Sequence, residues 1–297
     1  MNTADKTIFA NELKLLFFML LISVIILFFG YLITEMFGLG MDGIIITGII
    51  AAIINFVSYF FSKSIVLKSQ HAIPMSKKDF PQYYDMVQDM CERNGIIMPE
   101  LYYINSSALN AFATGRSQKD AAVVVTSGLL KKVPLDEISG VIGHELSHIV
   151  HKDILITGFI GTMVGFITIM ASFMRNASIR NSSRKNSNNS NSSVLLIIGL
   201  ATSILAPFIG LLIRMAVSRS REYMADATGG QICGNPQLLA KALYRISRDG
   251  SEMPMANEAV APLYISNPLK KDIWGDLFST HPDINDRIKR LQEMSNF

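Results

Sequence analysis

Gly143-His144-Glu145-Leu146-Ser147-His148 is an H-E-x-x-H sequence set among apolar residues. In a helix His144 and His148 lie one turn apart on one face, so both imidazoles reach a single metal ion. Glu145 lies about 100° round the helix from His144, beside such a metal and not on it. A general base belongs there: Zn²⁺ lowers the pKa of its water to about 7, and a neighbouring carboxylate takes the proton as the water attacks a carbonyl. An ordinary polar helix is the competing reading, but with so few His a chance H-E-x-x-H has odds below about one in a hundred. The flanks also favour a packed helix. Pro134 can start it, Asp136 and Glu137 suit its positive end, and Ile138, Val141, Ile142, Leu146 and Ile149 give it an apolar surface.

Just downstream, His151 shares a face with His144 but sits about 10 Å along the axis. Three imidazoles of one straight helix cannot share a tetrahedral ion over that span, so His151 reads as a polar helix-end residue. Ile154 to Met174 and Val194 to Val217, the latter interrupted by Pro207, are apolar runs of membrane-spanning length. Between them Asn181 to Ser193 is Ser/Asn-rich, with Arg175, Arg180, Arg184 and Lys185 nearby, a composition that cannot bury a core. Farther on, Arg219 to Asp226 opens a helix with Glu222 and Asp226 on one face. One carboxylate can complete a His₂Glu site while the other accepts the free N–H of a ligand imidazole. A solvated charged helix with Arg219 and Arg221 as partners fits the same spacing. If His148 and a ligand on this helix share a metal, residues 154–217 must cross a membrane an even number of times. A spanning hairpin is preferred to a dip and return.

Upstream, Leu13 to Ile33 and Ile44 to Phe61 are two more apolar runs, separated by a short turn at Glu35 to Gly43. The 297-residue chain is 49% hydrophobic and 17% charged, too apolar for a water-soluble enzyme of this length. Lys6 and Lys14 lie at the start of the first hairpin, Lys63, Lys68, Lys77 and Lys78 follow it, and its turn carries only Glu35 and Asp42. The positive-inside rule then puts both ends in the cytoplasm. From Met75 the sequence turns soluble in character. A helix is expected over Lys78 to Asn94, ending at Gly95, and short strands over Leu101 to Ile104 and Ala121 to Thr126. Asn110-Ala111-Phe112-Ala113-Thr114-Gly115 lies between them, as a sheet edge able to bind an extended peptide or as a turn with a packed Phe. Cys91 and Cys233 read as buried or free thiols, and the net charge of +3 gives no basis for a nucleic-acid partner.

Toward the end, Pro236 to Ile246 reads as an amphipathic helix, Ser251 to Pro268 as a long loop that is a candidate flap, and Trp274 to Phe278 as an apolar docking patch. His281 precedes Pro282, Asp283 and a helix carrying Arg287, Arg290 and Leu291. It is a candidate hydrogen-bond donor to the oxyanion formed as water attacks, with helix capping as the plain alternative.

His144-Glu145-Leu146-Ser147-His148, Ser220-Arg221-Glu222-Tyr223-Met224-Ala225-Asp226, Asn110-Ala111-Phe112-Ala113-Thr114-Gly115 and Ser279-Thr280-His281-Pro282 together resemble the HtpX-type membrane metalloproteases, relatives of the CAAX prenyl proteases among the gluzincins. The likeness covers nearly all of the chain. It implies one Zn²⁺ per chain bound by His144, His148 and Glu222, with Glu145 as catalytic acid/base and Asp226 supporting a ligand His. It also implies a bacterial inner-membrane endopeptidase with a cytoplasmic site, acting on misfolded or damaged membrane proteins. The long basic Asn/Ser-rich loop and His151 stand outside the family's pattern.

The expected fold is a mainly α integral membrane protein with four transmembrane helices and a cytoplasmic α+β zincin-like catalytic domain carrying a small β-sheet. Residues 1–62 form the first hairpin and 63–153 the first part of the catalytic domain. Residues 154–217 form the second hairpin with loop 175–193, and 218–297 the second part of the domain. Polypeptide substrates, among them membrane proteins, are expected to pair with Asn110, Ala111, Phe112, Ala113 and Thr114, with the lipid bilayer as surroundings and a homo-oligomer open. A prenyl-protein protease and a non-enzymatic membrane adaptor with a relict site are the rival functions.

Overall fold

The computed structural model describes residues 3–182, 218–251, 260–268 and 282–294, together with Met253 and Ala256. The fourth apolar run, most of the Asn/Ser-rich loop, Trp274 to Phe278 and His281 therefore lie outside the described residues.

Helices α1 (Thr3–Phe37) and α2 (Gly40–Ser69) form the first hairpin. Both run past the apolar stretches that predicted them, because the helix continues into the polar flank at Lys63 to Lys68. The turn is made by Gly38 and Gly40, both with positive φ. Leu13, Leu16, Phe17, Leu20 and Val24 on α1, and Ile46, Ile49, Ile53 and Phe56 on α2, are exposed. Such surfaces need lipid. Between the helices Asn55 donates to Ser23 Oγ at 2.8 Å. The two helices pass length and hydropathy tests for a membrane span, and α5 (Leu135–Val150) with the start of α6 (Asp153–Ser182) would pass only as one span bent by 85°. Of the four expected spans, two or three are thus supported among the described residues.

Four short strands make a mixed sheet in the order β1-β2-β4-β3. They are β1 (Ile73–Pro74), β2 (Glu100–Ile104), β3 (Ala111–Ser117) and β4 (Asp120–Thr126). β2 runs parallel to β4, and β1 and β3 are antiparallel to their neighbours. Val123, Val124 and Val125 of the inner strand β4 are fully buried, the signature of a strand covered on both faces. The Asn110 to Gly115 stretch is mostly strand, not turn: β3 is an edge strand, and its Phe112 is also the packed aromatic, with Tyr264 against it at a ring-centroid distance of 4.9 Å.

One face of the sheet meets α5 in the main core, where Ile138, Ile142, Leu146 and Ile149 lie with Val123 and Val125. Helix α3 (Pro81–Asn94) starts at Pro81 rather than Lys78, since Ser76 to Asp79 form a hydrogen-bonded turn before it, and it ends as expected at Gly95 in the left-handed conformation. α4 (Ser127–Lys132) is a single turn or so after β4. α7 (Arg219–Cys233), α8 (Pro236–Arg248) and α9 (Ile284–Glu293) complete the domain around α5. α6 packs Phe159, Ile160 and Met163 against Phe18, Ile22 and Ile54 of the hairpin.

Helix α5 is approached closely on two sides through glycine. A Cβ at Gly140 would sit 2.3 Å from Leu239 N on α8, and one at Gly143 would sit 2.4 Å from Gly229 O on α7. From the opposite side, a Cβ at Gly229 would lie 2.6 Å from His144 N. Backbone atoms cannot swing aside as side chains do, so α5 and α7 must separate to admit a methyl group. Gly229→Ala should destabilise the protein by about 1–3 kcal/mol through overpacking, seen as a lower thermal unfolding midpoint in detergent. Gly250→Ala, where nothing lies within 4 Å of the added Cβ, should change the midpoint little, and equal midpoints for the two variants would contradict the close contact.

Candidate active site

The H-E-x-x-H residues lie in the second half of α5, His144 and Glu145 buried and His148 half-buried, and the Gly143–Gly229 contact sets α7 directly alongside. Glu222 is thereby brought to the two imidazoles. His144 Nε2 and His148 Nε2 are 3.2 Å apart, and Glu222 Oε2 and Oε1 lie 3.7 Å and 3.6 Å from them. Tetrahedral zinc ligands at about 2.0–2.1 Å from the metal would stand roughly 3.3–3.4 Å from one another. Among the described residues, these three form a group that could hold a metal ion.

Each imidazole is held from behind by a carboxylate. His144 Nδ1 meets Asp226 Oδ1 at 3.0 Å, and His148 Nδ1 meets Asp153 Oδ2 at 3.0 Å. Such contacts fix the tautomer that leaves Nε2 free to ligate. Arg287 of α9 is 1% exposed and closes the set. Its Nε and Nη2 donate to Asp226 at 2.8 Å and 2.7 Å, and its Nη1 donates to Ile265 O at 3.2 Å and lies 3.9 Å from Glu222 Oε2.

The donor set fits a divalent cation on chemical grounds. Glu145, Asp153, Glu222 and Asp226 are buried beside two guanidiniums, Arg221 and Arg287, leaving an excess of negative charge that a bound cation offsets. Burial pushes His144 down to about 4 although Asp226 opposes it, so this imidazole is neutral, as ligation requires. At His148 burial also disfavours charge, but the Asp153 hydrogen bond and the charges of Glu222, Asp153 and Glu145 prevail and raise it to about 9. A proton there answers the same negative field that a metal would.

Glu145 is not among the grouped donor atoms. Burial lifts its carboxyl to about 7, with Glu222 adding to the rise and His148 and Arg287 opposing it. One side of the carboxylate accepts the Ala113 N–H, whereas Oε1 is buried without a hydrogen-bond partner among the described residues. A buried lone oxygen is costly unless water or a ligand meets it. It belongs to a residue lining the cavity beside His144, His148 and Glu222, which has a volume of about 30 Å³ and is roofed by Pro262, Leu263, Tyr264 and Ile265.

The proposed substrate edge is partly taken. Ile265 N donates to Ala111 O at 2.9 Å, Tyr264 bridges Phe112, and the Asn110 side chain donates to Ser266 O at 2.8 Å. Asn110, Ala111 and Phe112 hold the loop of the candidate flap, Ala113 lines the cavity, and Thr114 is buried. His151 caps the end of α5 and touches Ser147 Oγ, away from the ligands, as its helix-end reading requires. Cys91 and Cys233 are both free. Asp153 and Arg287 escape sequence reasoning. For Asp153 the available signal is a lone acid at the head of an apolar run, and for Arg287 an arginine on a helix whose exposed face is otherwise charged.

The profile of peptidase family M48 matches residues 77–295. Among curated relatives, the "Protease HtpX homolog" of Paraburkholderia phytofirmans is 42% identical over 260 residues, covering 86% of this chain and 89% of the relative. That of Syntrophobacter fumaroxidans is 40% identical over 258 residues, covering 86% and 91%. Among solved structures, S. mikatae Ste24p superposes with a TM-score of 0.50 at 18% identity, covering 96% of this chain and 66% of that one, a likeness of fold. With a profile match over most of its length and relatives at this identity, the chain belongs to peptidase family M48 and is a membrane metalloprotease.

Proposed function

We propose that the chain is a zinc-dependent endopeptidase in which His144, His148 and Glu222 hold the metal and Glu145 is the catalytic acid/base. The observation that carries this is the set of three ligand atoms 3.2–3.7 Å apart with Glu145 Oε1 buried and unpaired beside them. When bound, the metal supplies Lewis-acid polarisation of the substrate carbonyl and a water whose pKa is near 7. Glu145 takes a proton from the attacking water and delivers it to the leaving amine, and a carboxyl at about 7 suits both directions of transfer. Asp226 and Asp153 keep the two imidazoles turned with Nε2 inward, and Arg287 offsets the charge of Asp226 and Glu222.

Residues 63–153 and 218–297 supply the two parts of the catalytic domain, and the meeting of His148 and Glu222 supports a segment 154–217 that begins and ends on one side of the membrane. The lysines flanking the first hairpin support a cytoplasmic site in a bacterial inner membrane. The relatives' HtpX naming supports a role in removing misfolded or damaged membrane proteins. Substrate pairs with the β3 edge as an extended strand. Phe112 lies opposite Val124 in the ladder, and Ala111 O already takes a bond from the other side, so alternation leaves the Ala113 carbonyl as the next outward acceptor. His281 is retained as the candidate oxyanion donor.

Purified in detergent, the full chain should carry one zinc. A strong chelator should abolish casein cleavage, and added Zn²⁺ should restore it; cleavage that survives complete metal removal would refute the mechanism. Glu145→Gln should keep the metal and lose at least about 100-fold in kcat, whereas Glu222→Ala should lose both metal and activity. Asp153→Ala should weaken zinc binding by about 10–100-fold, read by competition with a fluorescent chelator.

A further inference from the structure

The corner between α5 and α6 is gripped by the first membrane helix. Asn11 of α1 is 1% exposed, and its amide nitrogen donates to two acceptors: His151 O at 3.0 Å and Asp153 Oδ1 at 3.0 Å. The first is a carbonyl at the end of α5, where the helix no longer supplies partners. The second belongs to the carboxylate whose other oxygen meets His148 Nδ1 at 3.0 Å. The corner needs such a hold. α5 and α6 meet at 85°, and Lys152 between them sits at φ +57, a left-handed conformation that a lysine rarely adopts. The next residue of α1, Glu12, also reaches the corner, pairing with Lys152 Nζ at 2.8 Å.

Given the metal-binding role proposed above for His148, we infer that Asn11 is a positioning residue of the metal site, acting through Asp153 on His148 from the membrane hairpin. Asp153 has three partners on three elements: His148 on α5, Arg221 on α7 and Asn11 on α1. Arg221 meets the same oxygen as Asn11, at 3.2 Å. An amide gives that oxygen a second hydrogen bond without adding charge to a crowded ionic site. Shape follows from the same contact: by binding residues 151 and 153 with one amide, Asn11 fixes the direction in which the Asp153 side chain leaves the corner.

The test uses the full chain in detergent, with Zn²⁺ as the probe and a fluorescent chelator as competitor. Asn11→Ala should weaken zinc binding by about 10-fold, the low end for losing a partner behind a ligand. Its kcat should fall in parallel and its KM should stay near the wild-type value. Asn11→Asp, which sets a second carboxylate against Asp153, should weaken binding further. Asn55→Ala is the comparator: it removes a buried asparagine of the same hairpin whose partners, Ser23 and Ala51, lie within the hairpin. It should bind zinc as tightly as the wild type. If Asn11→Ala is recovered too poorly to measure, Asn11→Ser is read in the same way, with a smaller loss expected because a hydroxyl keeps one donor. Wild-type affinity in the Asn11 variants, or an equal loss in Asn55→Ala, would overturn the positioning role while leaving the metal site standing. A wild-type protein that binds no zinc would remove both.

Discussion

The contact between α5 and α7 at Gly143 and Gly229 is the constraint on which the site depends. Two helices with ordinary side chains at the crossing pack with axes about 8–10 Å apart, whereas here a carbonyl of one rests where the other's Cβ would be. That approach brings the short side chains of Glu222 and Asp226 to imidazoles rooted on a neighbouring helix. It costs no side-chain entropy, since glycine has none to lose, and it leaves the polar groups of both helices in the same buried layer. The ligand residues come from positions far apart in the chain, so the site exists only while this contact does.

Such a layer concentrates charge where water is scarce, and its stability rests on pairing. Arg287 is the main counterweight: buried and forked, it binds both oxygens of Asp226 and still reaches the Ile265 carbonyl. One guanidinium thus ties α9, α7 and the loop over the cavity to His144. Breaking a buried pair of this kind strands the remaining charge and typically costs about 3–5 kcal/mol. Burial, helped by Glu222 and opposed by His148 and Arg287, raises the Glu145 carboxyl to about 7 in the same layer. Charge compensation and a carboxyl near neutrality are two results of one buried layer.

Much of this was legible where the information is local. The i, i+4 histidines, the adjacent glutamate, the amphipathic α8 and the apolar hairpin follow from helical period and composition. The choice between Glu222 and Asp226 as ligand did not follow from spacing, which treats them alike; family resemblance supplied it, and Glu222 is the one standing 3.6–3.7 Å from the two Nε2 atoms. Asp153, Arg287 and Asn11 were not legible as site residues. Asp153 is only five positions from His148, but round a helix corner that no period predicts, while Asn11 lies 142 positions from Asp153 and Arg287 lies 61 from Asp226, and no periodicity encodes a contact over such distances. The strand at Ala111–Ser117 was only half legible because alanine and glycine carry weak β-propensity, and pairing with the valines of β4 decides it.

The roof formed by Pro262 to Ile265 carries one more consequence. A cavity of about 30 Å³ has room for roughly one water molecule, while neighbouring strands in a sheet stand about 4.8 Å apart. A strand needs more room than this cavity offers, and the stretch beside it is anchored by Tyr264, whose hydroxyl donates to Gln70 at the end of α2. The stretch above the cavity is thereby moored twice, to the rim of the sheet and to the foot of an apolar helix, so a shift of that helix is felt beside Glu145.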